Sequence, residues 1–294
     1  MVETHLADPP VEPVAAASVM DDVAHPRPWL AAWTLCRREW VRFVRQPNRV
    51  FGAVGQPILF WLLFGAGLGP SFRMTGDASG RISYSEYFFP GTLVLILLFT
   101  AIFATISIIE DRREGFLQSV LVGPIPRWSM VLGKLLGGTL IAVAQATLFV
   151  LLGYTLGFHL GPLQLAAVVA WMFVVSLALT ALGFLLAWRM DSTQGFHAVM
   201  SVFLLPMWLL SGAFFGGDGS GWLGWIVRLN PLTYGVAGLR RLLYWGAPDD
   251  VRAAALPADL PAAWLCGAVT VLFCVIMFAL AWKISARRTT GDLL

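Results

Sequence analysis

The 294-residue sequence predicts an all-α integral membrane protein with six transmembrane helices. Hydrophobic residues make up 58% of the chain and charged residues only 13%, which leaves too little polar surface for a soluble domain of this length. The apolar runs reach the roughly 20 residues that a helix needs to cross about 30 Å of hydrocarbon. They are too long and too uniformly apolar for the alternating strands of a membrane barrel.

Six such runs follow one another along the chain. They cover residues 50–69, 88–109, 135–158, 163–188, 196–215 and 262–282, so the predicted transmembrane domain spans 49–282. Within the runs the polar residues of note are His197, near one end of the fifth, and the amides Gln56 and Gln145. An intramembrane hydrolase or a proton-coupled carrier normally needs ionisable groups at depth, and this scarcity weakens both interpretations.

Basic residues are concentrated on one predicted side of the membrane. That side receives Arg27, Arg37, Arg38, Arg42, Arg45, Arg49, Arg112, Arg113, Arg127, Lys134, Lys283, Arg287 and Arg288. The positive-inside rule predicts that this side is cytoplasmic and that both termini lie there, in a multi-pass protein of the cell (inner or plasma) membrane. The net charge of +3 follows from this bias and requires no nucleic-acid partner.

The chain before the first run divides into two parts. Residues 1–28 lack the basic start and apolar centre of a secretory signal, and their composition predicts a disordered cytoplasmic tail. Residues 29–48 predict an interfacial amphipathic helix with an arginine face toward lipid phosphates. Its apolar face would contain Trp29, Trp33, Cys36, Trp40 and Phe43. The alternative is a helix packed on another protein domain. Residues 283–294 are predicted to form a second cytoplasmic tail.

A charged stretch, EDRREGFLQSVLVGPIPRWSMVLGK, occupies residues 110–134 between the second and third runs. Its acids and following apolar stripe are Glu110, Asp111, Glu114, Phe116, Leu117, Val120 and Leu121. We expect an amphipathic helix with the acids on its first turn, where the helix dipole favours them. Pro124 and Pro126 end this helix, and Arg127 begins the next. The residues alone allow a solvated loop helix or one that transmits movement from a cytoplasmic partner.

The loop before the last run has its own helical pattern. Asn230 can cap a helix that begins at Pro231, where the missing proline N–H carries no penalty. An apolar stripe then follows at Leu232, Val236, Leu239 and Leu243. Trp222, Trp225 and Ile226 predict a shorter helix before it. A plain interfacial hairpin that anchors the last span is the simpler interpretation.

Two motifs resemble one known family. The pattern E-x-x-x-E-G-F-L-x-x-x-L-x-x-P-I-x-R-x-x-x-V-L-G-K, from Glu110 to Lys134, resembles the loop between the second and third spans in permeases of the type-2 ATP-binding-cassette exporter family. The segment Asn230-Pro231-Leu232-Thr233-Tyr234, followed by Leu239-Arg240, resembles that family's NPLTY segment before the last span. The resemblance extends from about Trp29 onward and excludes only the N-terminal tail.

The resemblance implies a permease subunit of an ATP-binding-cassette exporter. The loop helix would be a cytoplasmic coupling helix that docks on a separate ATPase subunit, and the short helices before the last span would be re-entrant. The residues implied in coupling are Glu110, Glu114, Gly115, Phe116, Leu117, Leu121, Pro124 and Arg127. Those implied in the exit-side segment are Asn230, Pro231, Thr233 and Tyr234. The implied partners are the ATPase, a second permease copy, membrane lipid and a small amphipathic or hydrophobic substrate, such as a drug, lipid or lipid-linked glycan.

Two other functions stay open from sequence: a lipid-modifying membrane enzyme and a non-transporting assembly or immunity factor. The sequence contains no GxxxxGK[ST] phosphate loop, so we expect no ATPase activity of this chain, with ATP and Mg²⁺ bound by the partner. We predict no catalytic, cofactor-binding or metal-binding residues. An enzyme would need a polar cluster, for which the loops offer only scattered Asp249, Asp250 and Asp259. The resemblance implies a homodimer of two identical copies, and a heterodimer with a paralogue is the alternative.

Overall fold

The structure is a computed structural model that describes residues 27–47, 83–154, 158–213, 221–256 and 260–286, together with 51–52, 55, 58–59 and 61–63. All regular secondary structure in these ranges is helical. The principal helices are α1 (Pro28–Val44), α2 (Tyr84–Ala104), α3 (Ile106–Arg113), α4 (Phe116–Val122), α5 (Arg127–Gly153), α6 (Pro162–Trp188), α7 (Thr193–Trp208), α8 (Trp222–Leu229), α9 (Pro231–Leu243), α10 (Asp249–Ala255) and α11 (Ala263–Ala286).

Five described segments are long and apolar enough to cross a membrane. They are Tyr84–Arg113, Arg127–Gly153, Pro162–Trp188, Thr193–Ala213 and Ala263–Ala286. These segments correspond to the second through sixth predicted spans, and those five predictions are confirmed. Most of the predicted first span, 50–69, and most of the two predicted tails lie outside the described residues. The described part of the chain is therefore all helical, with several helices that have the length and composition of a multi-pass membrane protein.

Helix α2 lies at the centre of the bundle. It begins with a reciprocal capping box, in which Ser83 Oγ accepts from the Glu86 N–H at 3.2 Å and Glu86 Oε2 accepts from the Ser83 N–H at 2.7 Å. The helix packs against both α5 and α6. Glycine permits a close approach on each side, because a Cβ on Gly153 of α5 would stand 2.7 Å from Phe89 Cζ and a Cβ on Gly183 of α6 would stand 2.9 Å from Thr105 Oγ1.

Helix α1 packs lengthwise on the first half of α5. Ala32 and Cys36 are buried in this contact, and a Cβ at Gly133 of α5 would stand 2.6 Å from the Ala32 carbonyl oxygen. A neighbouring face of α1 exposes Trp29 and Trp33 at 70% and 61%. The amphipathic helix is thus present, with Cys36 on the packed face and not among the exposed tryptophans.

The bundle has two distinct ends. At the α4 end, the chain turns from α3 into α4, and α3 contacts both α6 and α7. At the α9 end, the start of α2 meets the end of α7, where Trp208 Nε1 donates to the Gly91 carbonyl at 2.9 Å. Helix α9 lies at the same end, since Tyr244 just after it donates its hydroxyl hydrogen to the Glu86 carbonyl at 3.2 Å. Helix α8 exposes Trp222 and Trp225 there at 75% and 67%.

Candidate functional site

The chain turns sharply between α3 and α4. Helix α3 ends at Arg113, and Glu114 caps it while still helical. Gly115 then adopts φ +77°, a left-handed conformation that glycine accepts without steric cost. Helix α4 follows immediately, and Gly123 with an extended backbone ends it before α5. The short helix predicted in this loop is present.

The acids of this loop do not occupy the predicted position. Glu110 and Asp111 lie in the last turn of α3 and Glu114 at its C-cap, whereas the first turn of α4 contains no acidic residue. The expectation that the dipole of the loop helix stabilises them is wrong. A carboxylate at a helix C-terminus meets the negative end of the dipole, so these acids need positive partners from elsewhere.

Those partners come from α1 and α5. Arg38 donates from Nη1 and Nη2 to the two carboxylate oxygens of Asp111 at 3.0 and 2.8 Å, and Arg42 Nη1 donates to Asp111 Oδ1 at 2.9 Å. Lys134 Nζ donates to both Asp111 and Glu39. We call these five residues the Asp111 cluster. It joins α1, α3 and α5 around one carboxylate that is 0% exposed.

The Asp111 cluster corrects two expectations. Arg38 and Arg42 were expected to face lipid phosphates, yet both contact Asp111. The predicted runs also contained almost no ionisable group, because they stopped at 109 and started again at 135. The helices continue beyond these limits and include Asp111 and Lys134, both buried. Buried ions are tolerated when they are paired and hydrogen-bonded, as here.

The predicted coupling residues divide into three sets by their exposure. Phe116, Leu117 and Leu121 pack inward: Leu117 is 3% exposed, and the Arg38 guanidinium lies 3.7 Å from the centre of the Phe116 ring. Glu114 and Pro124 are exposed. The Glu114 carboxylate is only 3.5 Å from Arg42, but its side chain stays 59% accessible. The remaining three, Glu110, Gly115 and Arg127, are partly buried.

At the α4 end, α3 is also hydrogen-bonded to the α6–α7 junction. Arg112 Nη2 donates to the Trp188 carbonyl at 2.7 Å, which satisfies a carbonyl at the C-terminus of α6. Arg113 Nη2 donates to the Asp191 carbonyl at 2.6 Å. These two arginines therefore attach α3 to a second pair of helices.

At the α9 end, the predicted exit-side residues hold the α8–α9 hairpin together. The Leu232 N–H donates to Asn230 Oδ1 at 3.0 Å, and Pro231 occupies the first helical position, so the predicted cap is confirmed. Asn230 Nδ2 also donates to the Met207 carbonyl at 2.6 Å. Thr233 and Tyr234 donate their hydroxyl hydrogens to carbonyls of α8, at 2.7 and 2.9 Å.

A cavity of about 100 Å³ lies beside this hairpin. Its lining includes Tyr87, Ser211, Gly212, Thr233, Tyr234 and Arg240. Arg240, in the last turn of α9, is 1% exposed, and its guanidinium carbon lies 4.0 Å from the centre of the Tyr87 ring. From the sequence, Arg240 was named only at the end of the NPLTY-like segment, and its burial was not predicted. Its position four residues after Val236, on the apolar stripe of α9, was the signal for burial.

Nothing in the described part of the chain suggests a metal centre. Among those residues, no group of three or more His, Cys, Asp or Glu side chains is placed to hold a metal ion. The three cysteines are buried and free, and burial raises the pKa of the Cys36 thiol. A neutral, buried thiol behaves as a small apolar side chain.

Comparison with known proteins identifies the family. The ABC-2 type transporter membrane domain matches residues 31–244. The chain is 29% identical over 218 residues to a protein of Cyanophora paradoxa named as the transport permease ycf38, covering 71% of this chain and 73% of the relative.

Two further relatives have related names. A protein of Escherichia coli K12 that is named as the multidrug ABC transporter permease YbhR is 26% identical over 52% of this chain and 42% of its own length. Nodulation protein J of Rhizobium leguminosarum is 27% identical over 65% of this chain and 71% of its own length. The family match covers well over half of the sequence and contains both α4 and the Asn230 segment. This chain belongs to the ABC-2 type transporter family and is a permease of the ABC transporter class.

Proposed function

We propose that this permease moves an amphipathic or hydrophobic substrate out of the cytoplasm, powered by ATP that a separate subunit hydrolyses. The observation that carries this proposal is α4, a short helix placed between two membrane-spanning helices, with Leu117 buried and the Phe116 ring 3.7 Å from the Arg38 guanidinium of α1. Membership of the family implies an ATPase partner in general. A second permease copy would complete the pathway, because one such bundle without an internal repeat makes an unlikely complete channel.

Helix α4 is suited to transmit a displacement. Asp111, one turn before Gly115, is bonded at the same time to α1 and α5. Arg112 and Arg113 attach the same turn to the α6–α7 junction. A push on α4 therefore moves several helices as one body, where an unattached loop would only bend. Such rigid-body motion is one way in which nucleotide-dependent closure of a partner could alternate the access of a dimer interface.

The exposure of the predicted coupling residues refines their roles. Glu114 and Pro124 are exposed and are the proposed contacts with the ATPase. Phe116, Leu117 and Leu121 pack against this chain, and we assign them to fixing the orientation of α4. Val122, which is 79% exposed at the end of α4, joins the proposed docking surface.

Reversing the charge of Glu114 tests the coupling role. We expect Glu114→Arg to abolish export and to prevent recovery of an ATPase with the permease when it is purified gently from its native membrane and examined by mass spectrometry. Membrane insertion and elution as a folded particle should be unchanged, since Glu114 is exposed. Arg37→Glu is the matched control, because Arg37 is an exposed charge on α1. It should retain both export and the ATPase.

Two results would overturn the proposal. One is normal export by Glu114→Arg. The other is recovery of the unaltered chain without any ATPase under conditions that preserve known transporter complexes, which would favour an assembly factor. A transfer or hydrolytic activity of the purified permease alone would favour the enzyme.

A further inference from the structure

The cavity beside α9 contains a buried positive charge that no described acid neutralises. Arg240 is 1% exposed, and its Nε and Nη2 atoms are buried without a hydrogen-bond partner in the described part of the chain. Arginine stays protonated in proteins, so burial cannot neutralise it. A buried, unpaired ion is strongly unfavourable. We therefore expect a negatively charged ligand at this site.

The neighbouring groups of Arg240 do not supply that partner. The face of Tyr87 makes a cation–π contact with the guanidinium, but an aromatic ring leaves the N–H donors unsatisfied. Burial raises the pKa of Tyr244, so this phenol stays neutral beside Arg240. Glu86 is engaged in the capping box at Ser83. No ion pair joins Arg240 to any acid that the structure describes.

The walls of the cavity have a mixed chemistry. Thr233, Tyr234 and Ser211 lie on the polar part, while Val227, Val236 and Leu260 provide apolar surface. An inorganic anion needs only the polar part. A molecule with a charged group and an apolar body would use both.

We propose that this cavity binds an oxyanion, a phosphate or carboxylate, through the guanidinium of Arg240, and that the anion is the headgroup of an amphipathic molecule. Two N–H donors on one planar guanidinium match the two oxygens of such a group. The site lies between α9 and the start of α2, at the end of the bundle opposite α4. Binding itself does not require the ATPase. The interpretation of the bound anion as part of a transported substrate rests on the proposed export function.

The test is a binding measurement on the full-length permease in neutral detergent, without ATPase or nucleotide. Dihexanoyl phosphatidic acid is titrated and followed by calorimetry, with inorganic phosphate as a second probe. Arg240→Gln should raise the Kd for the lipid at least about tenfold, the loss expected for a charge-assisted bidentate contact. Arg252→Gln removes an exposed charge outside the cavity and should leave the Kd unchanged.

The two probes separate the sources of the anion. Arg240-dependent binding of the lipid alone supports the amphipathic ligand, whereas Arg240-dependent binding of both at similar Kd supports a free oxyanion site. Equal binding of the lipid by the unaltered chain and by Arg240→Gln overturns the proposal. Glu114→Arg should bind with unchanged Kd, so failure of anion binding and failure of ATPase coupling give different results.

A measurement on the unaltered chain keeps the proposal testable if Arg240→Gln does not fold. Dihexanoyl glycerol has the same tails as the phosphatidic acid and no charge. The phosphatidic acid should bind at least about tenfold more tightly, again because of the charged contact. Equal Kd values for the two lipids would contradict a site built around Arg240.

Discussion

The two ends of the bundle bury charge in opposite ways. At the α4 end, Asp111 is enclosed by Arg38, Arg42 and Lys134, and every charged group in that contact has a partner. At the α9 end, Arg240 is just as buried but has an aromatic ring and a cavity as neighbours. Paired buried charges fix the positions of the helices that carry them. An unpaired buried charge leaves binding capacity for a ligand.

The largest expected effect comes from breaking the paired end. Asp111→Asn leaves three cations without their central carboxylate, and removing one partner from a buried ion pair typically costs about 3–5 kcal/mol. We expect a loss of that size in the free energy of unfolding, measured by thermal or denaturant unfolding of the purified protein. Arg240→Gln should cost much less, since it removes a charge that forms no ion pair with the described acids.

A charged pair at the surface provides the control for Asp111. Asp191 lies 3.3 Å from Arg112, but its side chain is 94% exposed. Asp191→Asn should therefore change stability by at most about 1 kcal/mol, the range of exposed ion pairs. If Asp111→Asn were as stable as the unaltered chain, the two ends would not differ in the way described.

The next effect tests the packing that positions Arg240. A Cβ added at Gly238 would stand 2.1 Å from Cζ2 of Trp171, whose indole N–H also donates to the Gly235 carbonyl at 2.9 Å. We expect Gly238→Ala to lower the free energy of unfolding by about 1–3 kcal/mol, as overpacking does. Gly267→Ala is the matched control, because a Cβ there would meet no atom of the described residues within 4 Å. It should be neutral or stabilising, and equal effects at both sites would contradict the tight α6–α9 contact.

A smaller effect is expected at the hairpin that borders the cavity. Asn230→Ala removes the cap on α9 and the bond to Met207, at a cost of about 1–2 kcal/mol. Asn230→Ser keeps a capping oxygen but lacks the amide donor. Its stability should therefore fall between that of the unaltered chain and that of Asn230→Ala. Unfolding of all three proteins in one detergent provides the measurement. Equal stability of Ser and Ala variants would show that the cap contributes little.

Much of the helical fold was predictable because its signals are local. Apolar runs of the right length marked five spans, and Asn230 followed by Pro231 marked the start of α9. The boundaries were less accurate. The third span begins at Arg127 and not at residue 135, because a helix continues through charged residues when protein contacts satisfy them.

The buried charges were harder to predict because their partners are distant in sequence. Arg38 and Asp111 are 73 residues apart, and Lys134 and Glu39 are 95 residues apart. Counting basic residues by membrane side assigned Arg38 and Lys134 to the cytoplasmic side without indicating that Lys134 is buried. No local pattern shows which arginine meets which carboxylate. Arg240 differs, since its spacing of four residues from Val236 was a local signal of burial, although the predicted stripe did not include it.

The exposed tryptophans bear on the thickness of the bilayer that suits this protein. Trp29 and Trp33 lie at one end of the bundle and Trp222 and Trp225 at the other. Indole side chains favour the depth of the lipid headgroups, so two such levels set the vertical position of the protein and restrict its tilt. A bilayer thinner or thicker than their separation would have to deform around the protein. The tryptophans thus favour sorting of this permease into membranes of matching thickness.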